Sequence, residues 1–113
     1  MVDAVQIDSR KFDCSIAATL DAIGDRWTLL ILRDLFKGVR RFEDLQKDLG
    51  IARNLLSNRL NKLISHSIVI RVPYQERPTR YEYRLTSKGL DLSPSLVALM
   101  HWSDTWCITD GPP

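Results

Sequence analysis

The stretch RFEDLQKDLGIARNLLSNRLNKL, residues 41–63, decides the fold. Continued to residue 65, it contains two segments with apolar residues at helical spacing, 42–49 and 53–65, and Gly50 breaks the chain between them. The inward-facing apolar residues are Phe42, Leu45 and Leu49 in the first segment and Leu56, Leu60, Leu63 and Ile64 in the second. Two helices joined by a tight turn that contains glycine form a helix-turn-helix, and the stretch predicts this motif.

The outer side of the second predicted helix is rich in asparagine. The polar residues on this side or at its borders are Arg53, Asn54, Ser57, Asn58, Arg59, Asn61 and Lys62. Asparagine is a mediocre helix former, so it weakens a helix whose outer side needs only to be soluble. Its amide, however, pairs with adenine through two hydrogen bonds, and arginine pairs with guanine. We therefore expect this side of the helix to contact base edges in duplex DNA.

The place of each polar residue along this helix predicts its role. The early residues of the second helix of a helix-turn-helix reach base edges. The candidate base readers are therefore Arg53, Asn54, Ser57 and Asn58. Asn54 is also a candidate N-cap of the helix. Lys62 and Arg59 are expected to bind phosphates, with the alternative that Arg59 pairs with an acid of the same domain, Asp44 or Asp48.

Positive charge is concentrated in one part of the chain. The protein has a net charge of +2, but residues 53–80 hold six basic residues against one acid, a net of +5. A local basic patch is typical of a protein that binds a polyanion. Arg77 and Arg80 belong to this patch and lie in a turn-rich segment that Pro78 stiffens. The alternative is that both are ordinary solvated charges.

Two alternating segments follow the helix-turn-helix. Ile68, Ile70 and Val72 are predicted to share one face of a strand, and a second alternating run ends at Leu85. Such segments on either side of a proline-containing loop predict a β-hairpin, whose tip carries the two arginines of the turn-rich segment. A helix-turn-helix followed by a two-stranded hairpin is a winged helix. The expected fold is therefore mainly α with a β-hairpin wing.

Additional helices are predicted before and after this unit. Asp25 can cap a helix over 26–36 that is apolar on most sides, and Ser15 can cap a shorter one over 16–23. Residues 1–12 are polar and are predicted to be a flexible tail.

After the hairpin, Thr86 or Ser87 can cap a last helix. Pro94 lies inside this segment, so either the helix kinks there or a new helix starts with Ser93 as its cap; we expect the kink. Residues 14–112 are then one domain.

The composition excludes several classes of protein. There is no apolar run near twenty residues and no secretory signal, which favours a cytoplasmic protein. Cys14 and Cys107 form neither a metal-binding spacing nor a disulfide framework. His66 and His101 have no acid or nucleophile at useful spacing, and no phosphate-binding loop is present. We therefore expect that the protein is not an enzyme and that it binds no metal and no cofactor.

The chain resembles the HxlR-type family of winged helix-turn-helix regulators. Besides residues 41–63, the matching features are Cys14 with Ile16, GDRWTLLILRDL (24–35), and RVPYQERPTRYEYRLTSKG (71–89). Two positions depart from the family pattern: Arg26 stands where the family more often has lysine, and Ser67 where it usually has glycine.

The resemblance implies a dimeric transcription factor that binds double-stranded DNA, with an inverted-repeat operator expected. Each subunit is expected to place its fourth helix in the major groove and its wing near the backbone or minor groove. The first and last helices of a homodimer are expected to form the interface. The apolar residues that offer this interface are Ile16, Leu20, Leu96, Leu99, Trp102 and Trp106. The alternative is that these faces fold back onto their own core.

Two further questions stay open. Some members of the family sense oxidants or electrophiles through a cysteine at the position of Cys14, which lies at the predicted start of a helix, where free N–H groups and the helix dipole can lower a thiol pKa. The alternative for Cys14 is a half-buried packing residue. The alternative for the whole protein is a winged-helix module that binds only other proteins and would not need the basic patch.

Overall fold

The computed structural model describes residues 8–107, and within them the chain forms six helices and one two-stranded antiparallel sheet. In chain order the elements are α1 (Ser9–Ile23), α2 (Arg26–Phe36), α3 (Phe42–Leu49), α4 (Arg53–Ser65), β1 (Val69–Glu76), β2 (Thr79–Leu85), α5 (Ser87–Leu90) and α6 (Ser93–Trp106). The expected class, mainly α with a β-hairpin wing, is confirmed. No helix in this part of the chain is long and apolar enough to cross a membrane.

The core forms where α2, α3, α4 and the base of β1 meet. Apolar residues at helical spacing give each of these helices a stripe that packs inward. The apolar side chains with no exposed surface are Ile31 and Leu32 of α2, Leu45 of α3, Leu56, Leu60 and Leu63 of α4, and Val69 of β1. Burying one such side chain stabilises the fold by roughly 1.5–3 kcal/mol. The three leucines of α4 therefore determine which side of that helix faces outward.

A left-handed glycine makes the turn between α3 and α4. Gly50 has φ 65° and ψ 30°, and its N–H donates to the carbonyl of Gln46 at 2.9 Å. A side chain disfavours this conformation, which explains glycine at the end of α3. Both helices have the predicted bounds. Ala52 is the N-cap of α4, so the alternative role of Asn54 as a cap is wrong.

The wing is attached to the start of α3. Val69 pairs with Leu85 at the base of the hairpin, and Glu76 pairs with Thr79 beside the tip. Arg41, the residue before α3, forms an isolated bridge with β2, and the backbone N–H of Tyr83 donates to the carbonyl of Arg40 at 2.7 Å. These bonds fix the position of the wing relative to the helix-turn-helix.

The residue of the hairpin that packs against the core is not the predicted one. Ile68 and Val69 are both buried, whereas Ile70 is 48% exposed. The prediction that Ile68 and Ile70 share a face with Val72 is therefore wrong for Ile70. Ile68 precedes the strand, and Ser67 before it has φ 60°. Ile68 therefore lies outside the alternation of the strand, and Val69 rather than Ile70 is the residue of β1 that packs inward.

The first helix begins earlier than predicted. Asp8, not Ser15, is its N-cap, and the Asp8 carboxylate accepts from the backbone N–H of Arg10 at 3.0 Å. Residues 9–12, which were assigned to the flexible tail, are therefore helical, while residues 1–7 lie outside the described part of the chain. Asp25 caps α2 as predicted.

The C-terminal segment consists of two helices instead of one kinked helix. Thr86 caps the short α5 as predicted, and a new helix, α6, starts at Ser93 with Leu92 as its N-cap. Pro94 lies in the first turn of α6, where its missing N–H has no partner to lose. The predicted kink is therefore wrong, and the alternative of a new helix is right except that its cap is Leu92 and not Ser93.

Candidate nucleic-acid interface

The outer face of α4 is polar and open to solvent. Five of its predicted contact residues are exposed: Arg53, Asn54, Ser57, Asn58 and Asn61. Arg59 and Lys62 are half-buried at the borders of the face, and Leu56, Leu60 and Leu63 on the opposite side are fully buried. The structure thus divides α4 along its length into an inward and an outward side, as the apolar spacing predicts.

The wing and α4 face each other across a groove of about 550 Å³. From α4 the groove is lined by Arg53, Asn54 and Ser57, from α3 by Phe42 and Glu43, and from the wing by Tyr74, Pro78, Thr79, Arg80, Tyr81 and Tyr83. Arg77 is exposed at the hairpin tip beside Pro78. The two basic elements predicted from sequence therefore lie on one surface of the molecule.

Three arginines around this groove stack on aromatic rings. The guanidinium of Arg53 lies 4.7 Å from the ring centre of Phe42, and that of Arg41 lies 4.2 Å from Tyr74. On the wing, Arg71 lies 4.2 Å from the ring centre of Tyr81. Such contacts hold the planar cation against the ring and leave its N–H groups at the edges available.

The sequence prediction missed the tyrosines of the wing and the role of Arg71. Their signal is the strand register, in which Pro73 faces Tyr81 and Arg71 faces Tyr83, because side chains on paired strands contact both direct and diagonal neighbours. The alternation of apolar and polar residues predicts the strands but not this pairing.

Arg59 pairs inside the domain, but with a different acid from those predicted. Its Nε lies 3.0 Å from Oδ2 of Asp25, the N-cap of α2, and neither Asp44 nor Asp48 contacts it. Its Nη1 also donates to Oδ1 of Asn58 at 2.8 Å. The alternative that Arg59 pairs with an acid of the same domain is therefore right, with Asp25 in place of Asp44 or Asp48, and phosphate binding by its remaining N–H groups stays a prediction.

Asp25 is held as a charged carboxylate. It accepts from the backbone N–H of Thr28 at 3.2 Å and from the Thr28 hydroxyl. Partial burial raises the pKa of Asp25, but the hydrogen bonds from Thr28 and the charge and hydrogen bond of Arg59 outweigh it, so the pKa lies below its ordinary value. The anion stabilises both the start of α2 and the guanidinium on α4.

The remaining basic residues of the face are unpaired within the described part of the chain. Arg53, Lys62, Arg77 and Arg80 form no ion pair with the acids of residues 8–107. Arg84, further along the wing, differs because it is paired with Glu82. The four free cations are therefore available for phosphate oxygens.

The predicted interface residues are mostly exposed in the single chain. Ile16, Leu20, Leu99, Trp102 and Trp106 are 46%, 57%, 56%, 60% and 72% exposed. Leu96 alone packs against the core, so folding back onto the same chain accounts for that residue and not for the others.

Apolar surface near these residues was missed by the sequence prediction. Phe12 on α1 and Val97 on α6 are also exposed. Phe12 follows the same spacing as Ile16 and Leu20, and recognising Asp8 as the helix cap would have revealed it. A largely apolar groove of about 510 Å³ lies between α2 and α6, with Leu30, Phe36, Leu96, Val97 and Met100 among its lining residues.

Both cysteines are exposed and unpaired within the described residues. Cys14 lies inside α1 rather than at its start, so the free N–H groups of the helix terminus do not reach it. Cys14 is exposed in the single chain, so it does not pack against the core of its own subunit. Cys107 is the C-cap of α6.

The sequence model of the HxlR-like helix-turn-helix family matches residues 22–110 of this chain. The uncharacterized HTH-type transcriptional regulator Rv3095 of Mycobacterium tuberculosis is 49% identical over 112 residues, which cover 97% of this chain and 71% of Rv3095. Among solved structures, PA1607, a proposed transcription factor, is 43% identical in sequence and has a TM-score of 0.79. The match covers 87% of this chain and 68% of the PA1607 chain.

A third similar protein is the redox regulator HypR in its oxidised form. It is 28% identical with a TM-score of 0.76, over 85% of this chain and 100% of its own. These relatives are regulators and not enzymes. The matched residues include both helices of the helix-turn-helix, the wing and α6. The chain belongs to the HxlR-like helix-turn-helix family of transcriptional regulators.

Proposed function

We propose that the protein is a sequence-specific, dimeric DNA-binding regulator that places α4 in the major groove and the wing against the backbone or minor groove. The observation that carries this proposal is the common surface of α4 and the wing tip, with free cations on both elements. A helix of 13 residues is about 20 Å long, and the major groove, about 12 Å wide, admits it.

The residues divide into two roles. Arg53, Asn54, Ser57, Asn58 and Asn61 lie on the exposed side of α4 and are proposed to face base edges. Lys62 at the border of α4, and Arg77 and Arg80 at the wing tip, are proposed to bind phosphates, which position the protein without selecting a sequence.

Dimerisation is supported by the exposed apolar faces of α1 and α6. A single subunit presents only one helix to the major groove, whereas two subunits related by a twofold axis read two half-sites about one helical turn apart. The partner proposed for these faces is a second copy of the chain, and the operator is then an inverted repeat. The site of action is the cytoplasm, where the operator DNA lies.

The proposal is tested by selecting bound duplexes from random oligonucleotides with the purified protein. The expected result is an enriched inverted repeat whose half-sites are about 10–10.5 bp apart, or a multiple of this. Recovery of random sequence would contradict sequence-specific binding. Absence of any duplex binding would favour the alternative, a winged-helix module that contacts only proteins.

A second proposal concerns the signal that controls binding. Cys14 is exposed on α1, the helix that carries part of the proposed dimer interface, and the similar protein HypR is a redox regulator. Oxidation of the Cys14 thiol is therefore proposed to alter the arrangement of the subunits and with it the affinity for DNA. The test is an oxidant titration of DNA affinity with Cys14→Ser as the control. An unchanged affinity in the wild-type protein rejects the proposal.

A further inference from the structure

A chain of hydrogen bonds runs from the start of α2 to the DNA-facing side of α4. Asp25 Oδ2 accepts from Arg59 Nε at 3.0 Å, and Arg59 Nη1 donates to Asn58 Oδ1 at 2.8 Å. Asn58 itself is exposed, and Arg59 is half-buried beneath it with 29% of its side chain accessible. The orientation of an exposed amide on α4 is thereby linked to a carboxylate on another helix.

Asp25, at the inner end of this series of hydrogen bonds, is held in place by Thr28. Asp25 caps α2 through the backbone N–H of Thr28 and also accepts from the Thr28 hydroxyl, and Thr28 has no exposed surface. Arg59 contacts its two partners through different nitrogens, Nε and Nη1, of a planar guanidinium that has five N–H donors in fixed directions. Arg59 can therefore reach both partners in one conformation, and the carboxylate determines which conformation that is.

The contact with Arg59 decides which end of the Asn58 amide faces outward. Because Oδ1 is directed toward Nη1 of Arg59, the amino group Nδ2 is the end that is turned away from it. Adenine recognition by asparagine needs the amide oxygen to accept from N6 while the amino group donates to N7. Guanine instead presents two acceptors, N7 and O6, in the major groove. An amide that presents its amino group outward, beside an arginine, matches guanine.

We propose that Asp25 and Arg59 are positioning residues that orient Asn58 to donate to the acceptor edge of a guanine, and so set base preference at one position of each half-site. This inference rests on the proposed function, since it needs α4 in the major groove. It replaces the adenine pairing that asparagine alone would favour. Asp25 and Arg59 influence specificity without either being the residue that reads the base.

The test starts from the duplex selected by the wild-type protein. Asn58→Ala identifies the position that Asn58 reads, as the one whose base preference disappears. Affinities for duplexes with guanine or adenine at that position are then measured by fluorescence anisotropy. The wild-type protein is expected to favour guanine about tenfold or more, the discrimination typical of a good base contact. In Arg59→Met the amide is free to turn, and the ratio is expected to fall below about threefold.

Two further variants keep the test interpretable. Arg59→Lys retains the charge that pairs with Asp25 but lacks the planar fork that also reaches Asn58, so it too is expected to lose the guanine preference. Lys62→Met removes another cation of α4 and is expected to weaken binding to both duplexes equally. Circular dichroism melting of each variant checks that the fold is retained.

The outcomes separate this inference from the proposed function. A wild-type preference for adenine at the Asn58 position, or an unchanged guanine preference in folded Arg59→Met and Arg59→Lys, overturns the inference while leaving a selected operator and the regulator assignment intact. Failure of the wild-type protein to enrich any sequence overturns both.

Discussion

At the scale of single residues, the least expected feature is the buried acid Asp34 of α2. It has no exposed surface; its Oδ1 accepts from Arg33 Nε at 3.2 Å, and no N–H or hydroxyl group among residues 8–107 donates to its Oδ2. Burial and the hydrogen bond with Asp48 raise the pKa of Asp34 above 3.8, although Arg33 opposes them. The Asp34 carboxyl is therefore harder to ionise than that of a free aspartate.

Asp34→Asn is expected to stabilise the protein at neutral pH. An acid with a raised pKa in the folded state contributes stability that is present below its unfolded pKa and is lost as pH rises through the folded pKa. Asparagine donates to Asp48 without needing a proton, so the gain at pH 7 should be about 1–3 kcal/mol. Urea unfolding at several pH values measures it, and the difference should close as pH falls below 3.8, the ordinary pKa of aspartate.

Asp44→Asn is the control for this prediction, because Asp44 is an exposed acid of the neighbouring helix. It should change the free energy of unfolding by less than about 0.5 kcal/mol. A loss of stability in Asp34→Asn at pH 7 would show that the carboxylate is preferred to a neutral amide at this site.

Ser67 is a second residue whose conformation conflicts with its type. It has φ 60° between α4 and β1, a left-handed conformation that costs a residue with a side chain roughly 1–2 kcal/mol. Glycine avoids that cost but loses more backbone entropy on folding. Ser67→Gly should therefore raise the free energy of unfolding by about 0.5 kcal/mol, measured by urea unfolding. Ser65→Gly, within α4, should lower it by about 0.5–1 kcal/mol; equal losses in both variants would rule out strain at Ser67.

At the scale of elements, the wing is expected to supply affinity and α4 specificity. Arg77→Ala and Arg80→Ala should each weaken binding to specific and random duplexes by the same factor, and each should reduce the slope of log K against log salt by about 0.9 per lost phosphate contact. Asn58→Ala should instead reduce binding mainly to the selected duplex. Gel-shift titrations on the two duplexes compare these losses.

Arg84→Ala is the matched control on the wing, since this arginine is paired with Glu82. It should leave the salt slope unchanged. If Asn58→Ala and Arg77→Ala lose the same factor on both duplexes, the proposed division between α4 and the wing is wrong.

The elements also show what sequence could and could not predict. The bounds of α2, α3 and α4 follow from local signals, such as the Asp25 cap and the left-handed Gly50, and were predicted correctly. The partner of Arg59 was not predicted, because Asp25 lies 34 residues away in the chain and only packing brings the two residues together. The prediction of which β1 residues face the core was wrong for a related reason, since it depends on how the chain leaves α4 at Ser67.

The candidate site was predictable in composition but not in detail. The face of α4 and the basic wing tip follow from helical spacing and charge. Which end of the Asn58 amide faces outward depends on a contact between side chains, for which the sequence carries no local signal. Of the two alternatives for the start of α6, the preferred one was wrong, because Pro94 is compatible with both a kink and a first turn.

At the scale of the whole molecule, the single chain leaves apolar surface without a partner. The described residues extend over 56 × 37 × 22 Å, and every residue of α1 from Ser9 to Leu20 is exposed. A helix of this length is marginal in water without packing. The exposed apolar stripe of α1, together with the exposed face of α6, therefore supports the proposal that a second subunit covers them.

Leu20→Asp is expected to convert a dimer into a monomer. Light scattering on a size-exclusion column should give twice the chain mass of 13.0 kDa for the wild-type protein and the single mass for the variant. Leu90→Asp is the control, since Leu90 is 53% exposed against 57% for Leu20 but lies on α5, outside the proposed interface. A monomeric wild-type protein, or a dimer that survives Leu20→Asp, would contradict this interface.

The most direct test of the central claim, that the face formed by α4 and the wing lies on duplex DNA, is the salt dependence of binding to the selected duplex. With the three phosphate-binding residues proposed for each subunit, Lys62, Arg77 and Arg80, a dimer should give a slope of log K against log salt of about −5. A slope near zero, or no binding at low salt, would contradict the claim.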